Sequence, residues 1–230
     1  MTAIPAKRSA PRIPLTLVVA LVPAAAALNI VGQLINDTLK LPIYNDMIGT
    51  CVAAIVLGPW WGALVGVITN VGGAVLNGPV GIPFALANIT GALVWGYGVR
   101  SLGMGRNHVT YFILSAVSGA AVAVVATPIV VFVFGGSTGH STDALTAAFV
   151  QAGNDLLKSV LATSTISAVA DKIIAGYVAL AIIEALPANL VSGFRLPAQR
   201  GLRGVLAATV GVVIGIAIIA VWLLILAPKA

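Results

Sequence analysis

Charge is what this chain has least of. Only 8% of its 230 residues are Asp, Glu, Lys or Arg, and the acids number six. With 60% hydrophobic residues and a mean hydropathy of +1.09, the polar surface is too small for a water-soluble domain, which leaves an integral membrane protein with many spans. Cysteine is nearly absent as well. Cys51, alone inside an apolar run, excludes an intrachain disulfide and reads as a small buried hydrophobe. One cysteine and two histidines make a metal cluster implausible. No Gly-Lys pair occurs, so the chain has no P-loop to hold a nucleotide, and H-E-x-x-H is missing too. Acids inside apolar segments are too few for a proton relay of the kind many pumps use. His140, Ser141 and Asp143 lie together in a Gly/Ser-rich segment, which lacks the rigid scaffold a catalytic triad needs. The expectation is a membrane binding protein, with no enzymatic activity, no cofactor and no metal.

What is there divides into seven apolar blocks. A spanning helix takes on the order of 20 residues. The first span runs from about Leu15 to Ile35, contains Pro23 and carries a small face of Thr16, Ala20, Ala24 and Ala27 that invites close docking by a partner. A short second span covers about Asn45 to Leu57, with Asn45-Asp46 read as helix-capping residues. The third ends near Asn77, the fourth runs from about Ile82 to Val99, and the fifth from about Val109 to Phe134, bent by Thr127-Pro128. A Gly/Ser/Thr loop then leads into the top of the sixth span, which ends near Leu186. The last block, Gly204 to Leu226, reads as a plain anchor. Organisation is therefore expected as a segment 1–14, a six-helix domain 15–187, a basic linker 188–203 and a C-terminal transmembrane helix with its tail, 204–230.

The basic residues fix an orientation. Lys7, Arg8 and Arg12 precede the first span, Arg100 and Arg106 separate the fourth from the fifth, and Arg195, Arg200 and Arg203 follow the sixth. These are alternate loops, hence one side, which the positive-inside rule makes cytoplasmic, together with the N-terminus. The opening segment reads as a lead-in to the first span rather than a cleaved signal. The net charge of +6 thus speaks for topology in a lipid bilayer and not for nucleic acid.

Polar residues recur at helical spacing inside the apolar blocks. Gly62, Gly66, Asn70, Gly73 and Asn77 share one helix face, and Phe84, Asn88, Gly91, Trp95 and Gly98 repeat the arrangement after the Asn77-Gly78-Pro79 break. Small faces pack helices, while amides in lipid need a purpose, so two such stripes in succession point to a lined cavity. Asp171 and Lys172 are the charges deepest in an apolar helix. As neighbours they point about 100° apart, and the expectation is that one lines the cavity while the other bonds an adjacent helix or snorkels. Candidate substrate-binding residues are Asn88, Asp171, Lys172, Phe84, Asn77, Asn70 and Thr127. Asn88 and Asp171 suit a ligand with donors or a positive charge, whereas Lys172 and Asn70 equally suit an acid.

LPIYNDMIGT, LGPWWGALVGVITN and PFALANITGAL together resemble the substrate-binding S component of energy-coupling factor (ECF) transporters, over roughly residues 12 to 187. The resemblance implies an S-component-like bundle of six helices that captures a vitamin or related micronutrient outside the cell. It implies polar ligand contacts at Asn88 and Asp171 and places an Ala-x-x-x-Ala contact for a transmembrane coupling (T) subunit on Ala20 and Ala24, with Ala27 on the same face. Two cytosolic ATPases would supply the energy, in keeping with the missing P-loop. The seventh apolar block exceeds the six spans of that family. A ligand-sensing membrane module and a stand-alone facilitator without ATP coupling are the readings from other classes.

Overall fold

A computed structural model describes residues 14–187, 190–191, 194–197 and 202–226. The N-terminal lead-in with Lys7, Arg8 and Arg12, the linker residue Arg200, and the side chains of Asn77 and Arg203 lie outside the described ones. Every described element is helical: α1 (Leu15–Leu39), α2 (Ile48–Val56), α3 (Pro59–Asn77), a 3-10 segment (Pro79–Phe84), α4 (Ala85–Arg100), α5 (His108–Pro128), a π-helical turn (Ile129–Val133), α6 (Asp143–Gln151), α7 (Leu156–Ala185) and α8 (Leu202–Leu226). Five stretches among the described residues are long and apolar enough to cross a membrane: Leu15–Leu39, Pro59–Leu76, Pro79–Arg100, His108–Val133 and Leu156–Ala185. The chain is an all-α integral membrane bundle, as its composition requires.

The short α2 explains how these spans are held together. Its nine residues rise only about 13 Å, and all of them are buried. A helix end inside an apolar bundle needs partners for its free N–H and C=O groups. Asn45-Asp46 do not supply them, because α2 starts at Ile48 with no side-chain cap of its own. Asn29 of α1 does so instead, its Oδ1 accepting the Gly49 N–H at 2.7 Å. At the other end the Arg100 guanidinium donates to the carbonyls of Ile55 (2.9 Å) and Val56 (3.2 Å). Both caps thus come from other helices.

Small residues set the spacing between helices. A methyl at Gly62 would lie 2.5 Å from the Ala54 Cβ, which brings α3 against α2. A methyl at Gly66 would sit 2.7 Å from the Asn88 Oδ1, so this glycine makes room for that amide. Cys51 is fully buried in the core, as read from its neighbours.

Two expectations are revised. The segment before α7 is a separate helix, α6, and not the top of the sixth span: Gly153, at φ +90, breaks the chain, and Asp155 starts α7 by accepting the Lys158 N–H. The bend at Pro128 is a change of helix type, from α to π over Ile129–Val133, which accommodates the missing proline N–H. The last block is indeed helical and packs on α7, where Gly211 lies against the Tyr177 ring and Gly215 against Ile174.

Candidate functional site

At one end of the bundle the helices part around a cavity of about 450 Å³, within the range of about 300–1,000 Å³ common for small-molecule sites. Its walls come from the last turns of α1, the loop that follows, the end of α3, the 3-10 segment, α4, the second half of α5 with the π-helical turn, the 138–143 loop, α6 and the first half of α7 as far as Lys172. Arg100 and Arg106 close α4 and precede α5 at the opposite end.

The stripe predicted from Gly62 to Gly98 divides between two roles. Asn70, Gly73, Phe84 and Asn88 line the cavity, whereas Gly62 and Trp95 belong to the packed interior below it. Asn70 donates to its own helix at Gly66 O (2.8 Å). Asn88 is only 1% exposed and joins a buried chain of hydrogen bonds. Asn29 Nδ2 donates to Thr50 Oγ1 (2.9 Å) and contacts Thr69 Oγ1 at 3.0 Å, and the Thr50 hydroxyl donates to Asn88 Oδ1 (2.7 Å). Asn88 Nδ2 reaches the Asp46 carbonyl at 3.4 Å.

Asp171 and Lys172 prove to be partners of each other. Lys172 lines the cavity, and its Nζ donates to Asp171 Oδ2 and, at 3.1 Å, to Asp46 Oδ1. Asp171 stands behind the wall, where its Oδ1 accepts the Asn45 N–H at 2.8 Å. Asn45 holds a left-handed backbone, φ +53. The neighbouring charges bend toward each other because Asp46, from the loop after α1, completes a three-member cluster. The pair therefore clasps that loop onto α7. Thr127 is not on the cavity wall; its hydroxyl is spent on the Ala123 carbonyl one turn back (2.7 Å). Asn77 ends α3 beside the cavity, its side chain outside the described ones.

Some lining residues, Tyr44 and Asn36 among them, carry no pattern that singles them out in the sequence. Tyr44 stacks on His140 with ring centroids 4.9 Å apart, and Phe84 on Phe134 at 5.9 Å. His140 Nε2 lies 3.0 Å from Asn36 Nδ2, which ties the α5–α6 loop to the end of α1, and Ser141 is hydrogen-bonded to Leu41 O at 2.5 Å. Burial lowers the His140 pKa below its ordinary value against the opposing pull of Asp37 and Asp143, and it pushes the Tyr44 phenol up to about 12. Asp143 accepts from Ser137 Oγ, Thr138 N and Gly139 N at 2.7–2.8 Å and so organises the loop. The side chains of His140, Ser141 and Asp143 thus bond to separate sets of partners and form no triad. Gly135 to Gly139 also spell G-x-S-x-G, but Ser137 sits in this loop rather than on a strand-to-helix elbow.

The family model for "ECF transporter, substrate-specific component" matches residues 17–186. The chain belongs to that family. No curated protein and no solved structure matches it significantly. As an ECF substrate-specific component the chain is a membrane transport subunit, and the matched region contains every residue that lines the cavity while ending before α8.

Proposed function

We propose that this ECF substrate-specific component captures a vitamin or related micronutrient on the outer side of the plasma membrane and delivers it inward with a T subunit and two cytosolic ATPases. The observation that carries the reading is the cavity of about 450 Å³ at the bundle end away from Arg100, lined by buried amides and hydroxyls and roofed by the loop that Asp171 and Lys172 hold. The positive-inside rule puts the Arg100 end, and with it the N-terminus, in the cytoplasm, so the cavity faces out. Asn88, Lys172, Phe84 and Asn70 line the cavity, while Asp171 holds the loop from behind the wall. Ala20, Ala24 and Ala27 are exposed on α1 and offer the T subunit its contact.

Reconstitution in liposomes tests this reading. The chain together with coupling subunit and ATPases is expected to accumulate a labelled vitamin only when ATP is inside, and the chain alone only to bind it. ATP-independent uptake by the chain alone would make it a facilitator instead.

A further inference from the structure

Two loops meet at the mouth of the cavity, and one ring joins them. His140, from the loop between α5 and α6, stacks on Tyr44 of the loop after α1, and its Nε2 lies against the Asn36 amide near the end of α1. Its Nδ1 turns to its own loop, where the Thr142 N–H donates to it at 3.2 Å. That bond fixes the tautomer. Nδ1 is the bare nitrogen, the proton sits on Nε2, and the Asn36 amide takes the orientation that presents its oxygen to that proton. The neutral ring therefore has both nitrogens used. Ser141, next in the chain, extends the joint through its hydrogen bond to Leu41 O.

A second proton has no such place. It would go on Nδ1, and the Thr142 N–H would lose its acceptor. The Thr142 hydroxyl, 3.0 Å from Nδ1, can take the new N–H, but the backbone N–H of a residue only 6% exposed is then left unsatisfied. The Lys172 ammonium of α7 already lies 5.7 Å from the centre of the Tyr44 ring, so an imidazolium stacked on that ring would add a second cation to it. Asp37 of α1, Asp143 of α6, the Ile43 backbone and Asp46 favour the charged ring, while burial opposes it and outweighs them. Asp46 already serves Lys172, and Asp143 the backbone of its own loop, and neither carboxylate bonds the ring.

We infer that His140 is a proton-sensitive latch: as a neutral ring it pins the loop between α5 and α6 to α1 and to the loop after α1, and protonation releases this joint. The sign follows from linkage. A proton binds more readily to the released ring than to the packed one, so falling pH draws the joint open. On the orientation proposed above the proton comes from outside the cell, but the joint itself does not depend on that reading.

Hydrogen exchange of the purified full chain in nanodiscs, without added substrate, tests the latch. After correction for the intrinsic effect of pH, the Thr142 amide and the amides of residues 41–45 are expected to exchange at least about threefold faster at about pH 5.5 than at about pH 7.5. Amides of the buried α2 should not change. In His140→Gln the difference should vanish. Should that variant fail to fold, nitrogen-15 NMR of the wild-type imidazoles takes its place, with His108→Gln identifying the His140 signals. Protonation of Nδ1 should then coincide with the faster exchange. Equal protection at the two pH values, the same difference in folded His140→Gln, or a protonated ring with the loops still protected overturns the latch and leaves the capture role standing.

Discussion

Replacing Lys172 with methionine would leave Asp46 and Asp171 around a site that has lost its cation. Breaking a buried ion pair from one side typically costs about 3–5 kcal/mol, because an uncompensated charge stays behind. Lys172→Met is therefore expected to lower the thermal midpoint in detergent strongly, and Lys172→Met combined with Asp171→Leu to recover part of the loss. Equal midpoints for the two variants would show that the cluster does not act as a unit. His140 gives a second measure at this scale. Burial holds its folded pKa below the ordinary value of about 6.5, so the unfolded chain takes up the proton first as pH falls. The stability from the neutral ring is fully present above about pH 6.5 and is lost as pH drops below it toward the folded value. Melting curves between about pH 7.5 and 5 should show this decline, and His140→Gln should flatten it. The sequence marks Asp171 and Lys172 as the ionisable groups to watch, and it does so by composition alone. Their pairing was not legible, since it depends on Asp46, which comes 126 residues before Lys172 and looks like a helix cap.

Among the elements, α2 is the one whose position most depends on its neighbours. Its shortness can be read from the Asn45 to Leu57 block, but its two caps cannot: Asn29 stands 20 residues from Gly49, and Arg100 stands 45 from Ile55. No local rule of helix capping reaches that far. Thr50 then passes the order of α2 on to the cavity, taking a hydrogen bond from Asn29 and giving one to Asn88. Thr50→Val keeps the shape and removes both bonds, leaving the Asn88 Oδ1 without its donor. The expected cost is about 1–3 kcal/mol in stability, together with weaker ligand binding from an amide no longer fixed in place. A Thr50→Val protein that melts and binds like the parent would mean the chain of bonds is incidental. The stripes on α3 and α4 were legible because helical periodicity survives in any environment. Which half of each stripe lines a cavity was not, because the cavity is closed by residues of α1, α5, α7 and the 138–143 loop, far from both stripes in the chain.

At the scale of the whole molecule, α1 has a buried side and an exposed one. Val18, Val22, Ala25, Ala26 and Asn29 face the bundle, while Ala20, Ala24 and Ala27 are exposed on the other side. The extra helix α8 packs on α7, whereas α1 packs on α2 and α3, so among the described residues the helix beyond the family match leaves the alanine face of α1 uncovered. A small-residue face lets another helix backbone approach closely, and bulk there would block it without touching the cavity. Ala20→Leu with Ala24→Leu is accordingly expected to leave the thermal midpoint and substrate binding of the isolated chain unchanged within error. The same variant should fail to co-purify with the T subunit and should lose ATP-driven uptake in liposomes. If the complex forms normally, docking takes place on another face of the bundle; if binding itself is lost, α1 transmits to the cavity through Asn29 and Thr50, and the two sides of the helix do not act separately.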